Sequence, residues 1–356
     1  MIRAVPGVAA MAAYALADMG GPGMISLAQN ESAFGPSPKA LAAGRAALAT
    51  AALYPDPDWT DLRRAIASVH RVDPDRILCG AGSMDLIGAV IRAFAGPGDE
   101  VLGSAHGYLF VATACQLAGA RYVTAPEPAL AVDIALVLQA VTPRTRVVFV
   151  CNPGNPTGTT LLTADILRLR AALPEPVLLV VDQAYGEFDS QDPAPVFALA
   201  DRGDTVVLRT FSKAYALASA RVGWGVFPAA ISAETRKVMP PNNVPAVSQA
   251  MAMAAMRDQA HMADIVARTA TIRDRFSADL RDAGFAIPVA RTNFVLIPFG
   301  STRIARAADA ALRAEGLLLR GMAGYGLPHC LRATIGPAPV MARAARVLAP
   351  FAKDMP

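Results

Sequence analysis

The sequence predicts an α/β protein: a large, mostly parallel twisted sheet sandwiched by helices, followed by a smaller α/β unit. Three observations carry this. Apolar runs of strand length at 146–150, 177–181 and 205–210 alternate with helical patterns, and such alternation builds parallel sheets. The chain has 356 residues, 54% hydrophobic and 17% charged, which is too long for one ordinary core and suggests roughly two domains. The C-terminal part carries three further short strand patterns and two helical ones.

Residues 1–18 hold one arginine, an apolar stretch and an Ala-Leu-Ala, the outline of an export signal. Pro6 and Gly7 interrupt it and its basic flank is a single residue, so export is not expected. Residues 24–38 are turn-rich and read as a loop or arm, with Pro38 opening the next helix. An Ala-rich helix spans about 38–50, Tyr54-Pro55-Asp56 makes a turn, and a helix over about 59–70 places Leu62, Ile66 and Val69 on one face. Arg76 to Cys79 is a short strand running into Gly80-Ala81-Gly82-Ser83 and an apolar helix to about Phe94. A strand, a small-residue turn and a helix start make an anion site, because free amides and the positive helix end face the turn.

A strand at 99–102 leads through Tyr108 to a helix ending near Ala118. Tyr108 either packs in the core or offers its ring face to a planar ligand. The buried-strand pattern 146–150 ends in Cys151-Asn152-Pro153-Gly154-Asn155-Pro156-Thr157-Gly158, a stiff turn able to aim an Asn side chain. A helix follows over about 163–172. The strand 177–181 ends at Asp182, where a carboxylate is costly unless paired or capping a helix. The strand 205–210 ends in Thr210-Phe211-Ser212-Lys213, and Arg221 heads another at 221–227. Residues 245–283 read as one long helix or two joined ones. Strands at 294–298, 317–320 and 331–335 and helices at 302–315 and 338–350 complete the smaller unit.

In open parallel sheets functional groups gather at the strands' carboxyl ends, and Asn155, Asp182 and Lys213 fall there. The chain has only four lysines, Lys39, Lys213, Lys237 and Lys353. A lysine at a strand end is ordinarily solvated. Lys213, among small and hydroxyl residues, is the one placed to form a Schiff base with a carbonyl. The net charge of +4 comes from scattered arginines, so nucleic acid is not an expected partner. No run is long and apolar enough for a membrane span. Cys79, Cys115, Cys151 and Cys330 and the four histidines show no metal-ligand spacing, so no metal is expected. The cysteines read as free thiols of a reducing compartment.

Taken together, these motifs resemble the fold-type I aminotransferases of class I/II that use pyridoxal 5′-phosphate (PLP), in their histidinol-phosphate aminotransferase-like branch. The resemblance rests on Asn30-Glu31, Phe34-Gly35-Pro36-Ser37-Pro38, Tyr54-Pro55, Gly80-x-Gly82-Ser83, Asn155-Pro156-Thr157-Gly158, Asp182-x-Ala184-Tyr185, Ser212-Lys213, Arg221 and Leu331-Arg332. Asn155, Asp182, Lys213 and Arg221 follow one another at spacings of 27, 31 and 8 residues.

The resemblance implies a seven-stranded sheet in a large PLP-binding domain over 46–240. The arm at 1–45 and residues 241–356 form the interdomain helix and the small domain. It implies that Lys213 binds the cofactor covalently and moves the proton, Asp182 pairs with the ring nitrogen, and Asn155 and Tyr185 bond the ring oxygen. Tyr108 stacks on the ring. Ala81, Gly82, Ser83, Thr210, Ser212 and Arg221 hold the phosphate, with Tyr54 reaching it from the second subunit of a homodimer. Arg332 clamps the substrate α-carboxylate, Arg320 matches the residue that helps bind the substrate phosphate in the histidinol-phosphate enzymes, Asn30 and Asn155 also bind substrate, and 320–328 lies near the substrate entrance. Gln183, Gly154 and His106 depart from the family pattern. The expected activity is cytoplasmic transamination between an amino acid or amino alcohol phosphate and a 2-oxo acid. Decarboxylation on the same scaffold, as in threonine-phosphate decarboxylase, is the alternative.

Overall fold

The computed structural model describes residues 2–11, 18, 20, 21 and 23–354. Its strands among these are β1 (Ile25–Leu27), β2 (Ile77–Gly80), β3 (Glu100–Ser104), β4 (Arg121–Ala125), β5 (Thr145–Cys151), β6 (Leu178–Asp182), β7 (Thr205–Thr210), β8 (Gly223–Val226), β9 (Phe294–Pro298), β10 (Leu317–Gly321) and β11 (Cys330–Thr334). Seven form one sheet in the order β2-β8-β7-β6-β5-β3-β4, and four form a second in the order β1-β10-β11-β9.

In the large sheet only β8 runs against its neighbours. Val147–Val150, Leu178–Val181 and Val206–Leu208 are buried throughout, as expected of parallel strands covered on both faces. The helix Ser83–Phe94 turns Leu86, Ile87, Val90 and Ile91 inward, and truncating one of these to Ala would cost about 2–5 kcal/mol. From β5 the sheet grows through β6 and β7 on one side, while β3 and β4 lie on the other. The crevice between β3 and β5 is therefore a topological switch point, where α/β sheets bind ligands.

Several elements differ from the sequence expectation. Within the stretch read as loop or arm, Ile25–Leu27 pairs in parallel with β10, Ile25 opposite Leu317. The edge strand β4 and the helices Ile134–Gln139 and Ala229–Lys237 carry patterns too weak to read from sequence; most of β4 is only partly buried or exposed. Of the two readings of 245–283 the second is the one observed: two helices, Ala246–Arg257 and Gln259–Ala283, divided at Asp258. The carboxylate of Asp258 accepts bonds from Ser37 Oγ at 2.5 Å and Lys39 Nζ at 3.0 Å. Of the export-like start, Pro6–Ala9 forms a single helical turn, and residues 1 and 12–17 lie outside the described residues. No helix among the described residues is long and apolar enough to cross a membrane.

Candidate active site

The carboxyl ends of β2, β7, β6, β5 and β3 deliver Ser83, Thr210, Asp182, Asn155 and Tyr108 to one cavity of about 530 Å³. Because β8 is antiparallel, Arg221, just before its start, reaches the same edge. The second sheet closes the cavity with Arg320 from β10 and Arg332 from β11, and Asn30 follows β1.

Asp182 is the last residue of β6 and is 2% exposed. Burial pushes its carboxyl up to about 7, against the Ala184 amide that donates to Oδ1 at 3.0 Å and the positive charges of Arg209 and Lys213. Lys213 lines the same cavity, and its Nζ donates to the Asn30 carbonyl at 2.9 Å. Burial brings the ammonium down to about 7; Arg332 adds to this, and Glu31 opposes it. Near neutral pH a large fraction of this amine is therefore unprotonated and nucleophilic.

Thr210, Ser212 and Arg221 make a donor-rich corner. Thr210 Oγ1 donates to Ser212 Oγ at 3.0 Å, and Arg221 Nη1 reaches the same oxygen at 3.4 Å. Gly82 precedes the helix Ser83–Phe94 at φ +82°, and a Cβ there would lie 2.2 Å from Arg221 Nη2. Only glycine lets the guanidinium lie against the helix start, where amides lack intrahelical partners. Arg221 itself holds a left-handed φ of +53°, a strain typical of functional sites. The amides of Ala81 and Gly82 bond within the chain, to Asp85 Oδ2 at 3.0 Å and the Gly80 carbonyl at 2.7 Å. Neither residue lines the cavity, whereas Ser83 and Met84 do.

Arg332 is 3% exposed, and its Nη1 donates to Asn155 Oδ1 at 2.5 Å. Its Nη2 donates to the Ala28 carbonyl at 3.1 Å, while Nε has no partner. Arg320 stands directly opposite Arg332 in the β10–β11 register. Asn30 Nδ2 donates to the Tyr185 hydroxyl at 2.8 Å, and the Tyr185 ring meets Phe294 edge-on with centroids 5.1 Å apart. Tyr54 is 89% exposed and lies outside the cavity of this chain. Tyr325 lines the cavity without having been singled out; its only sequence signal is its position within 320–328.

A flat phosphorylated pyridine aldehyde needs an anion cradle at one end, an acid for its ring nitrogen and an amine for its carbonyl. The donor corner, Asp182 and Lys213 supply these in one cavity, so the residues present fit PLP. Fold and site define a fold-type I PLP-dependent enzyme. The model of the family "Aminotransferase class I and II" matches residues 22–348, and the chain belongs to that family. It is a PLP-dependent aminotransferase.

Among its relatives, histidinol-phosphate aminotransferase of Paramagnetospirillum magneticum is 44% identical over 317 residues, covering 88% of this chain and 87% of the relative. The enzyme of that name from Granulibacter bethesdensis is 42% identical over 339 residues, covering 94% and 92%. The crystal structure of histidinol-phosphate aminotransferase from Sinorhizobium meliloti, in complex with pyridoxal 5′-phosphate, superposes with a TM-score of 0.90 at 29% identity, covering 99% of this chain and 98% of that one. The decarboxylase alternative finds no support among these relatives.

Proposed function

We propose that this aminotransferase takes histidinol phosphate as amino donor and a 2-oxo acid such as 2-oxoglutarate as acceptor. The observation that carries the reading is the Arg320–Arg332 pair. Like charges directly opposite on neighbouring strands repel, and burial and Arg320 both lower the pKa of Arg332. A dianion between the two arginines relieves both penalties, and a phosphate monoester offers the oxygens that guanidinium groups bind in pairs. The names of the relatives support the same donor.

In this reading Ser83, Thr210, Ser212 and Arg221 hold the cofactor phosphate, and the turn at Ala81 and Gly82 shapes the corner without touching it. Asp182 pairs with the ring nitrogen, Asn155 and Tyr185 bond the ring oxygen, and Tyr108 covers the ring face. Bound PLP supplies the electron sink that lets the donor carbon give up a proton. Lys213 anchors the cofactor and, once released, takes that proton at Nζ and returns it to the other side of the exchange. Its depressed pKa suits this work near neutral pH. Arg332, Arg320 and Asn30 orient donor and acceptor in turn.

The enzyme works as a cytoplasmic homodimer in this reading, with Tyr54 reaching the partner's phosphate corner. The exposure of Tyr54, Leu53 and Leu48, at 89%, 70% and 60%, supports a surface that a second copy covers. The four free cysteines suit a reducing compartment. The test is a donor panel of histidinol phosphate, phenylalanine, tyrosine and glutamate with 2-oxoglutarate as acceptor. Histidinol phosphate should give the highest kcat/KM, and Arg320→Ala should raise its KM at least ~10-fold. Preference for an aromatic amino acid, or no turnover of histidinol phosphate, overturns the reading.

A further inference from the structure

Between two segments that line the cavity, at Tyr185 and Thr210, lies a buried ion pair that the proposed chemistry does not use. Glu187 sits in the turn Gly186–Phe188, two residues after Tyr185, and Arg209 immediately precedes Thr210 on β7. Glu187 Oε1 and Arg209 Nη1 are 3.1 Å apart, with side chains 4% and 3% exposed. The guanidinium passes directly beneath Gly186, where a Cβ would come within 2.5 Å of its Cζ. It also lies 5.3 Å from the centre of the Phe197 ring.

As a source of stability the pair is poor. Apart from the 3.1 Å contact itself, neither Glu187 carboxylate oxygen, nor Arg209 Nε, makes a hydrogen bond of good geometry. A buried pair that lacks such bonds recovers little of its desolvation cost, and apolar residues of similar volume would serve the core as well. Its position is what sets it apart. It joins the turn that carries Asp182 and Tyr185 to the strand that leads into Thr210, Ser212 and Lys213.

We propose that Glu187 and Arg209 are positioning residues for the cofactor ring: their contact fixes the two ring-holding segments against each other and holds the Arg209 guanidinium on the residue that follows Leu208, the strand partner of Asp182. The inference rests on the reading of Asp182 as the partner of the ring nitrogen. Burial raises the pKa values of Asp182 and Glu187 and lowers that of His70, and the Arg209 charge pulls all three down. The ionisable groups on which the Arg209 charge acts are Glu187, His70, Tyr215 and Asp182; Asp182 is coupled in turn to Lys213, Arg209 and Cys151.

The test compares Glu187→Gln, Arg209→Gln and the apolar double variant Glu187→Leu/Arg209→Met. Two quantities are read: the carbon-13 NMR titration of the Asp182 carboxyl in cofactor-free protein, assigned by its loss in Asp182→Asn, and the Kd for PLP. Glu187→Gln leaves the Arg209 charge uncompensated and should move the Asp182 titration down by about one pH unit; Arg209→Gln should move it up by a similar amount. The double variant should fold, titrate higher at Asp182 and bind PLP at least ~10-fold more weakly. A purely structural pair predicts shifts of one sign in both single variants and wild-type affinity in the double variant; either result overturns the proposal. Should the single variants fail to fold, the double variant decides alone. If Asp182→Asn itself binds PLP like the wild type, the reading of Asp182 is what fails.

Discussion

Replacing Asp182 by Asn should stabilise the cofactor-free protein while weakening its hold on PLP. Asn keeps the shape and an oxygen for the Ala184 amide but removes the buried charge. Burial lifts the carboxyl to about 7 in the fold, from an ordinary value of 3.8. With a folded value above the unfolded one, the cost is absent below about pH 3, where both states hold the proton. It grows by about 1.4 kcal/mol per pH unit through the window between the two values and levels off above about pH 7. At its plateau it amounts to roughly 4 kcal/mol. Urea unfolding of the cofactor-free wild type and Asp182→Asn at pH 4.5, 6 and 8 reads the difference directly. The variant should gain little at pH 4.5 and several kcal/mol at pH 8, while its Kd for PLP rises. A gain independent of pH, or none at pH 8, would refute the claim that this carboxylate is held ionised at a cost to the fold.

Lys213→Ala should lose the visible absorbance of covalently held cofactor and at least ~10³-fold in transamination rate, read by absorbance and single-turnover kinetics. Its cofactor-free form should lose less stability than wild type as the pH falls from about 10 to 7. The Lys213 amine has a folded pKa of about 7, below its usual value, so the unfolded chain takes up that proton first. Arg332→Lys cannot donate to Asn155 and an anion in a fork; kcat/KM for the amino donor should fall about 10²-fold, roughly 3 kcal/mol, with PLP binding little changed. Mixing Tyr54→Ala with Lys213→Ala subunits should restore one working site in each hybrid dimer; absence of any recovery would tell against Tyr54 acting in the partner's site.

The sequence by itself determined the strand and helix pattern of the large sheet, because continuous Val/Leu runs such as Val147–Val150 follow from burial on both faces. It also placed Asn155, Asp182 and Lys213 at strand ends, since each stands where an apolar run stops. It did not disclose β1 or β4: three residues carry no period, and the half-exposed β4 lacks the buried run. It allowed two joined helices over 245–283 but not where they part, and the bonds that Asp258 accepts there come from Ser37 and Lys39 far away in the chain. Tertiary structure alone decided which groups meet. Arg332 bonds Asn155 across 177 residues, Asn30 bonds Tyr185 across 155, and the Lys213 amine bonds the Asn30 carbonyl across 183. The register that sets Arg320 opposite Arg332, and the contact of Glu187 with Arg209, belong to the same class. Local pattern fixes which way a side chain points from its own strand, but its partner is fixed only when separate strands settle into one register and pack.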